Sequence, residues 1–241
     1  MKISVVVPAF NEEKLLPKTL ASIQTANGAW IKRGWSSETI VCNNNSTDRT
    51  GAVAEAAGAK VVFEPINQIS RARNAGAAHA TGDWIVFVDA DSQPTLELFS
   101  AAADAIAEGR VIAGGSTLTL DAKGWDVYWM IRAWNLISRI NGWMAGAFIF
   151  VDSTAFREIG GFSHELFVGE ELDLAKKLRQ LARKQKKKLV ILNVAPLLTS
   201  ARKTELYSRK ELLQFFLRFT LSRKATETDR KACNVWYDGR R

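Results

Sequence analysis

From Ile3 to Glu108, short β-branched runs alternate with stretches whose apolar residues recur at helical spacing. This alternation constrains the fold more than any other feature. Ile3–Pro8, Thr39–Cys42, Lys60–Phe63 and Trp84–Val88 are predicted strands. The acidic turn Asn11-Glu12-Glu13 opens an amphipathic stretch to about Ile23, with Leu15, Leu16, Leu20 and Ile23 on one face. Thr50–Ala57, Ser70–Ala80 and Thr95–Glu108 are the other predicted helices, the first two closed by Gly58 and Gly82. Strand and helix in turn imply an α/β fold with a mostly parallel, doubly wound sheet and helices on both faces. Such sheets bind ligands beyond the carboxyl ends of their strands. Those ends are Pro8–Glu12, Asn43–Asp48 and Asp89–Asp91, all polar.

After about residue 110 the pattern changes. Val111–Leu120 reads as a small antiparallel extension, Trp125–Ile140 as a Trp-rich helix and Ala147–Val151 as a strand. Glu170–Arg183 is a charged helix, Lys184–Lys188 a basic run, Leu189–Val194 a strand and Arg209–Lys224 a basic amphipathic helix. No linker composition or internal repeat separates the halves. The expectation is one domain over 1–241, with two functional halves (1–110 and 111–205) and a basic C-terminal segment (206–241).

Composition removes several classes. With 47% hydrophobic residues, twelve Phe and eight Trp, the chain is not disordered. No apolar run approaches the ~20 residues of a membrane span, and Ile3–Val7 is too short for a signal peptide. Two cysteines, Cys42 and Cys233, have neither disulfide-framework nor zinc spacing, which fits a reducing cytoplasm. A net charge of +8 calls for an anionic partner, whether nucleic acid, phospholipid or phosphorylated substrate.

Neither a G-x-x-x-x-G-K-[ST] loop nor a G-x-G-x-x-G fingerprint is present, and two histidines exclude a multi-histidine zinc site. Asp89-Ala90-Asp91 directly follows a buried strand. Two carboxylates one residue apart are oxygen ligands for a hard divalent cation with positions left for diphosphate oxygens; the plain alternative is a pair of loop aspartates ahead of the helix at Thr95. Glu170-Glu171, with Asp173, follows Gly160-Gly161-Phe162. A carboxylate there suits proton abstraction from a hydroxyl, against first-turn acids that merely complement a helix dipole. Adjacent helical positions point about 100° apart, so at most one of Glu170 and Glu171 faces a substrate squarely. In Ser70-Arg71-Ala72-Arg73-Asn74 the two arginines cannot share a helix face. One reaches a phosphate and the other is solvated, or the run is an ordinary basic helix start.

The segments ISVVVPAFNEEKLLPKTLASI, VCNNNSTDRT, ARNAGAAHATGDWIVFVDADSQP and GGFSHELFVGEELDLAKKLR occur in an order that resembles the family-two nucleotide-sugar glycosyltransferases, from Met1 to about Arg179. The resemblance implies an A-type glycosyltransferase fold and inverting transfer from a nucleoside diphosphate sugar to a hydroxyl acceptor, with Mn²⁺ or Mg²⁺. It places Pro8, Ala9, Asn11 and Glu12 beside the nucleoside, with Arg73, Asp89 and Ala90 also on the nucleotide. Asp91 and Asp89 become the metal ligands, and Glu171, beside Glu170, the general base. Three departures stand out. Asn43 and Asn44 replace the family's usual aspartates, and Asn45 a glycine. Asn accepts and donates, so Asn43 can still take uracil N3–H but grips guanine poorly, which tilts the donor toward uridine. Glu171 stands where the family usually has Asp. The Q-x-x-R-W motif of processive synthases is absent, which favours single-sugar transfer.

Two rival classes remain open from the sequence: a catalytically silent nucleotide-sugar binder and a basic nucleic-acid-binding protein, the latter without any recognised motif. A further expectation is peripheral association with the inner face of an anionic membrane. Trp125, Trp129, Trp134 and Trp143, with the basic segment Arg209–Lys224, have the chemistry of the water–lipid interface. The acceptor is then lipid-linked, or otherwise soluble.

Overall fold

A computed structural model describes residues 1–122, 124–202, 206, 227–230 and 232–233. The helix expected over Arg209–Lys224 lies outside these residues.

The elements run β1 (Lys2–Ala9), α1 (Leu16–Ala26), α2 (Gly28–Ile31), β2 (Ser36–Asn43), α3 (Thr50–Ala56), β3 (Lys60–Phe63), α4 (Ile69–Ala78), β4 (Trp84–Val88), β5 (Ser92–Gln93) and α5 (Leu96–Ala107). There follow β6 (Val111–Leu120), α6 (Trp125–Asn141), β7 (Phe148–Asp152), α7 (Ser153–Glu158), α8 (Glu170–Lys184) and β8 (Lys188–Thr199). The strands form one sheet in the order β3-β2-β1-β4-β7-β6-β8-β5. β1 pairs in parallel with β2 and β4, and β2 with β3, which gives the doubly wound half.

Period-two burial assigns each strand's side chains to two cores. Val5 and Val7 face Leu16, Leu20, Ile23 and Phe99 on one side of the sheet. Val6, Ile85 and Phe87 face Ala77, Phe156, Leu174 and Leu178 on the other. Full burial of such side chains contributes roughly 1.5–3 kcal/mol each. The small residues of α4 have a steric reason: a Cβ on Gly76 would sit 2.4 Å from Val6 Cγ1. The helix therefore lies close on β1 and carries Arg73 inward.

Two expectations need adjustment. β6 is antiparallel to β7 but parallel to β8, so it is not purely an antiparallel extension. β8 does not stop at Val194 but continues to Thr199, with a register shift opposite Ser116/Leu118. Pro196 lies in that shifted stretch; a proline cannot donate to the ladder, but at an irregularity it need not end the strand. The extra length matters, because β8 ends against β5, where Ser92 pairs with Thr199 beside Asp91.

Candidate active site

Three loops meet at the carboxyl ends of β1, β2 and β4. The first two are stitched by hydrogen bonds. Glu12 N–H donates to Thr50 Oγ1 (2.8 Å), Glu13 N–H to Asp48 Oδ2 (3.1 Å), and Thr47 N–H to Asn11 Oδ1 (2.8 Å). Asn11 holds a left-handed φ of 53° to make this turn, a conformation Asn tolerates better than most residues. On the third loop, Thr19 Oγ1 donates to the Ala90 carbonyl (2.8 Å) and anchors the Asp-Ala-Asp turn to α1.

These loops enclose a cavity of about 270 Å³. Pro8, Ala9, Glu12, Asp89, Ala90 and Asp91 line it from the strand ends, and Glu170 and Glu171 from the start of α8. Asn11 and Asn43 are not on its wall. The Asn43 carboxamide oxygen accepts from Ser46 N–H (3.0 Å) within its own turn. Asn44 is the wall residue, and its side chain is heavily committed. It donates to the Glu64 and Ile66 carbonyls (3.1 and 2.7 Å) and accepts from Gln68 N–H (3.0 Å). An aspartate there could not donate, so asparagine is the residue that pins the 64–68 segment.

Arg73, expected to reach a phosphate, lines the cavity with a side chain only 3% exposed. Nη1 donates to Glu170 Oε1 (2.7 Å), and Nη2 to Asp89 Oδ1 and the Gly146 carbonyl (3.0 Å each). The guanidinium lies 5.2 Å from the Phe162 ring centroid. Its partner in the motif, Arg71, donates to Gln68 Oε1 (3.1 Å). Burial alone would lower the affinity of Arg73 for its proton, but Asp89, Glu170 and Glu171 reverse that and hold it above the ordinary value. Burial pushes the Glu170 carboxyl up, Glu171 adds to the rise, and Arg73 opposes it.

A second arginine closes the other end. Arg202 Nη2 and Nη1 donate to the two carboxylate oxygens of Glu12 (2.6 and 3.0 Å), and Nη2 lies 3.8 Å from Asp91 Oδ2. Burial lowers and the contacts with Glu12 and Asp91 raise its affinity for a proton, with a net upward shift. Arg202 is 190 positions from Glu12, and no motif pointed to it. Phe167 and Arg230 also reach the wall from segments that spacing does not place there.

Among the described residues, no group of three or more His, Cys, Asp or Glu side chains converges as a metal centre. Asp89 and Asp91 are a pair of hard oxygen donors on one short turn. That set fits Mg²⁺- or Mn²⁺-type ions, which commonly take one or two carboxylates and complete their shell with phosphate oxygens and water.

The sequence profile of Glycosyl transferase family 2 matches residues 4–164. A dolichol-phosphate mannosyltransferase of Pyrococcus furiosus is 31% identical over 135 residues, which cover 53% of this chain and 37% of that protein. An undecaprenyl-phosphate 4-deoxy-4-formamido-L-arabinose transferase of Enterobacter sp. is 30% identical over 146 residues, covering 58% and 42%. The chain thus spans less than half the length of these curated relatives. Among solved structures, S. aureus TarS 1–349 superposes with a TM-score of 0.66 at 19% identity, over 99% of this chain and 78% of that one. Glucosyl-3-phosphoglycerate synthase of Mycobacterium tuberculosis, crystallised with Mn²⁺, UDP and phosphoglyceric acid, gives 0.61 at 19% identity over 95% and 80%. These likenesses establish the A-type glycosyltransferase fold. By the profile match over two thirds of its length, the chain belongs to Glycosyl transferase family 2.

Proposed function

We propose that the chain transfers one sugar from a nucleoside diphosphate sugar, preferentially a UDP-sugar, to a hydroxyl acceptor with inversion. One observation carries this reading: the Asp89–Asp91 pair and the Glu170–Glu171 pair line the same cavity. Asp89 and Asp91 would hold a Mn²⁺ or Mg²⁺ ion, which when bound would neutralise charge on the departing diphosphate. Glu171 accepts the proton of the acceptor hydroxyl as that oxygen bonds to the anomeric carbon. The bond from that carbon to the diphosphate breaks with its electron pair on the diphosphate, so one displacement gives inversion. Glu170 is a poorer candidate for the base because one of its oxygens is bound by buried Arg73. The uridine preference is supported by TarS having been crystallised with UDP and with UDP-GlcNAc.

The acceptor proposed is lipid-linked and met at the inner face of an anionic membrane. No described helix is long and apolar enough to cross a membrane. Yet α6 exposes Trp125 (77%), Ile140 (74%), Tyr128, Trp129, Leu136 and Ile137, a set suited to the water–lipid interface. Arg132 and Arg139 on the same helix complement anionic headgroups. The names of the Pyrococcus and Enterobacter relatives contain a polyprenyl phosphate, which supports the lipid character of the acceptor but not its hydroxyl.

The test is a thermal-shift panel of nucleoside diphosphates and their sugars with Mn²⁺ and Mg²⁺. A ligand at 100 times its Kd raises stability by about 2.7 kcal/mol. UDP compounds with metal are expected to give the largest shift. No shift with any compound defeats the reading, and a clear GDP preference defeats its uridine part. Sedimentation with phosphatidylglycerol-rich vesicles at low salt tests the membrane part; protein left in the supernatant removes it.

A further inference from the structure

Arg73 touches both carboxylate pairs at once, and its setting leaves the guanidinium little freedom. A Cβ on Gly146 would meet Nη2 at 2.8 Å, so the Gly146 backbone bounds it on one side. Phe162 covers it on another. Its Nε is buried with no hydrogen-bond partner among the described residues, so the fork is held by its two ends alone. One Nη serves Glu170, and the other is shared between Asp89 and the Gly146 carbonyl.

We propose that Arg73 is a positioning residue that couples the cation-binding end of the site to the base end. A cation arriving at Asp89 competes with the guanidinium for that carboxylate and repels it, so Arg73 is held more firmly by Glu170. Glu170 is the first residue of α8 and the chain neighbour of Glu171, so the firmer contact orders the turn that presents the base. Donor loading and base alignment are thereby linked. Linkage is reciprocal: removing the charge of Glu170 concentrates Arg73 on Asp89 and weakens cation binding there. The inference rests on the reading that Asp89 and Asp91 hold a cation, and it adds the communication between the two ends.

The experiment measures Mn²⁺-dependent UDP binding by calorimetry in the full chain and in E170Q, R73K and the double variant. Lysine keeps the charge but has one ammonium in place of the fork, so it cannot span both carboxylates. E170Q is expected to weaken Mn²⁺-dependent binding by about 5- to 10-fold, within the usual range of coupling between sites. In the R73K background the same change is expected to have less than a twofold effect. An equal loss in both backgrounds means that Glu170 acts through space alone and overturns the proposal, as does no loss in the wild-type background. G146A crowds Nη2 without altering any charge and is expected to blunt the effect of E170Q; it replaces R73K should that variant fail to fold. UDP binding by the unaltered chain that ignores Mn²⁺ overturns the cation reading and this proposal together. A Mn²⁺-dependent wild type whose variants show no coupling overturns only the proposal.

Discussion

The two ends of the cavity carry the same chemistry, an arginine between two carboxylates, but differ in how far the arginine is buried. At the inner end Arg73 and Glu170 are 3% and 6% exposed, and Asp89 completes the triad. At the outer end the Arg202 side chain is 19% exposed; it meets Glu12, itself 8% exposed, in a two-pronged contact, with the 21% exposed Asp91 farther off. Buried ions cannot lose a partner cheaply, because the charge left behind has no water to take over. At the outer end solvent supplies part of the screening. The inner end therefore has the character of a fixed post and the outer end that of a replaceable clasp.

The comparison is sharpened first by chemistry at the wall. E171Q is expected to lower turnover by roughly 10²–10⁴ with donor affinity little changed. D91N is expected to remove metal-dependent UDP binding while the far-ultraviolet circular dichroism is retained. Inactivation by E170Q alone, with E171Q active, would reassign the base to the residue that Arg73 holds.

The second test is stability. R73M leaves Glu170 and Asp89 without their cation and is expected to cost about 3–5 kcal/mol. R202M gives up charge-assisted hydrogen bonds nearer the surface and is expected to cost about 1.5–3 kcal/mol. Urea unfolding of both variants measures the order; equal losses would erase the distinction between post and clasp.

A third variant moves the post without touching a charge. G76A drives a methyl group into Val6 Cγ1 in a close-packed interior and is expected to cost about 1–3 kcal/mol, with a lower melting temperature. An unchanged melting temperature would mean that α4 slides freely on β1, contrary to a rigid support for Arg73.

The smallest effect lies at the opposite end of the strands and serves as a control. Burial tends to raise the Glu38 carboxyl. Hydrogen bonds from Ser4, from the Thr81 N–H and hydroxyl, and from Lys2 outweigh it, so the value falls from 4.5 to about 2. The folded value lies below the unfolded one, so this contribution is present above about 4.5 and is lost as pH falls through about 2. E38Q is expected to cost about 1 kcal/mol at neutral pH, the gap from wild type closing in acid. A gap that persists at pH 2 would point to packing rather than charge.

Much of the site was legible because its parts are local in sequence. The Asp-Ala-Asp turn sits where a buried strand ends, and Glu170-Glu171 opens a helix after a glycine-bounded loop. Both patterns are written in consecutive residues. The Asn43–Asn44 pair was legible as a departure, but not which of the two faces the cavity. Successive residues at a strand end point to opposite sides, and the local turn decides the register. The Ser70-Arg71-Ala72-Arg73 run showed that its two arginines could not share a helix face, but left open whether either reached the site, and gave no sign that carboxylates would meet one there.

The sequence by itself determined the alternating elements, the parallel half of the sheet, the carboxylate turns at its edge and membership of the family, because each depends on spacing along the chain. Only the tertiary structure decided that Arg73 would join Asp89 to Glu170, and that β8 would run on past Pro196 to deliver Arg202 to Glu12. Those contacts link residues 97 and 190 positions apart. Their geometry comes from how helices seat on a twisted sheet, which no local pattern encodes.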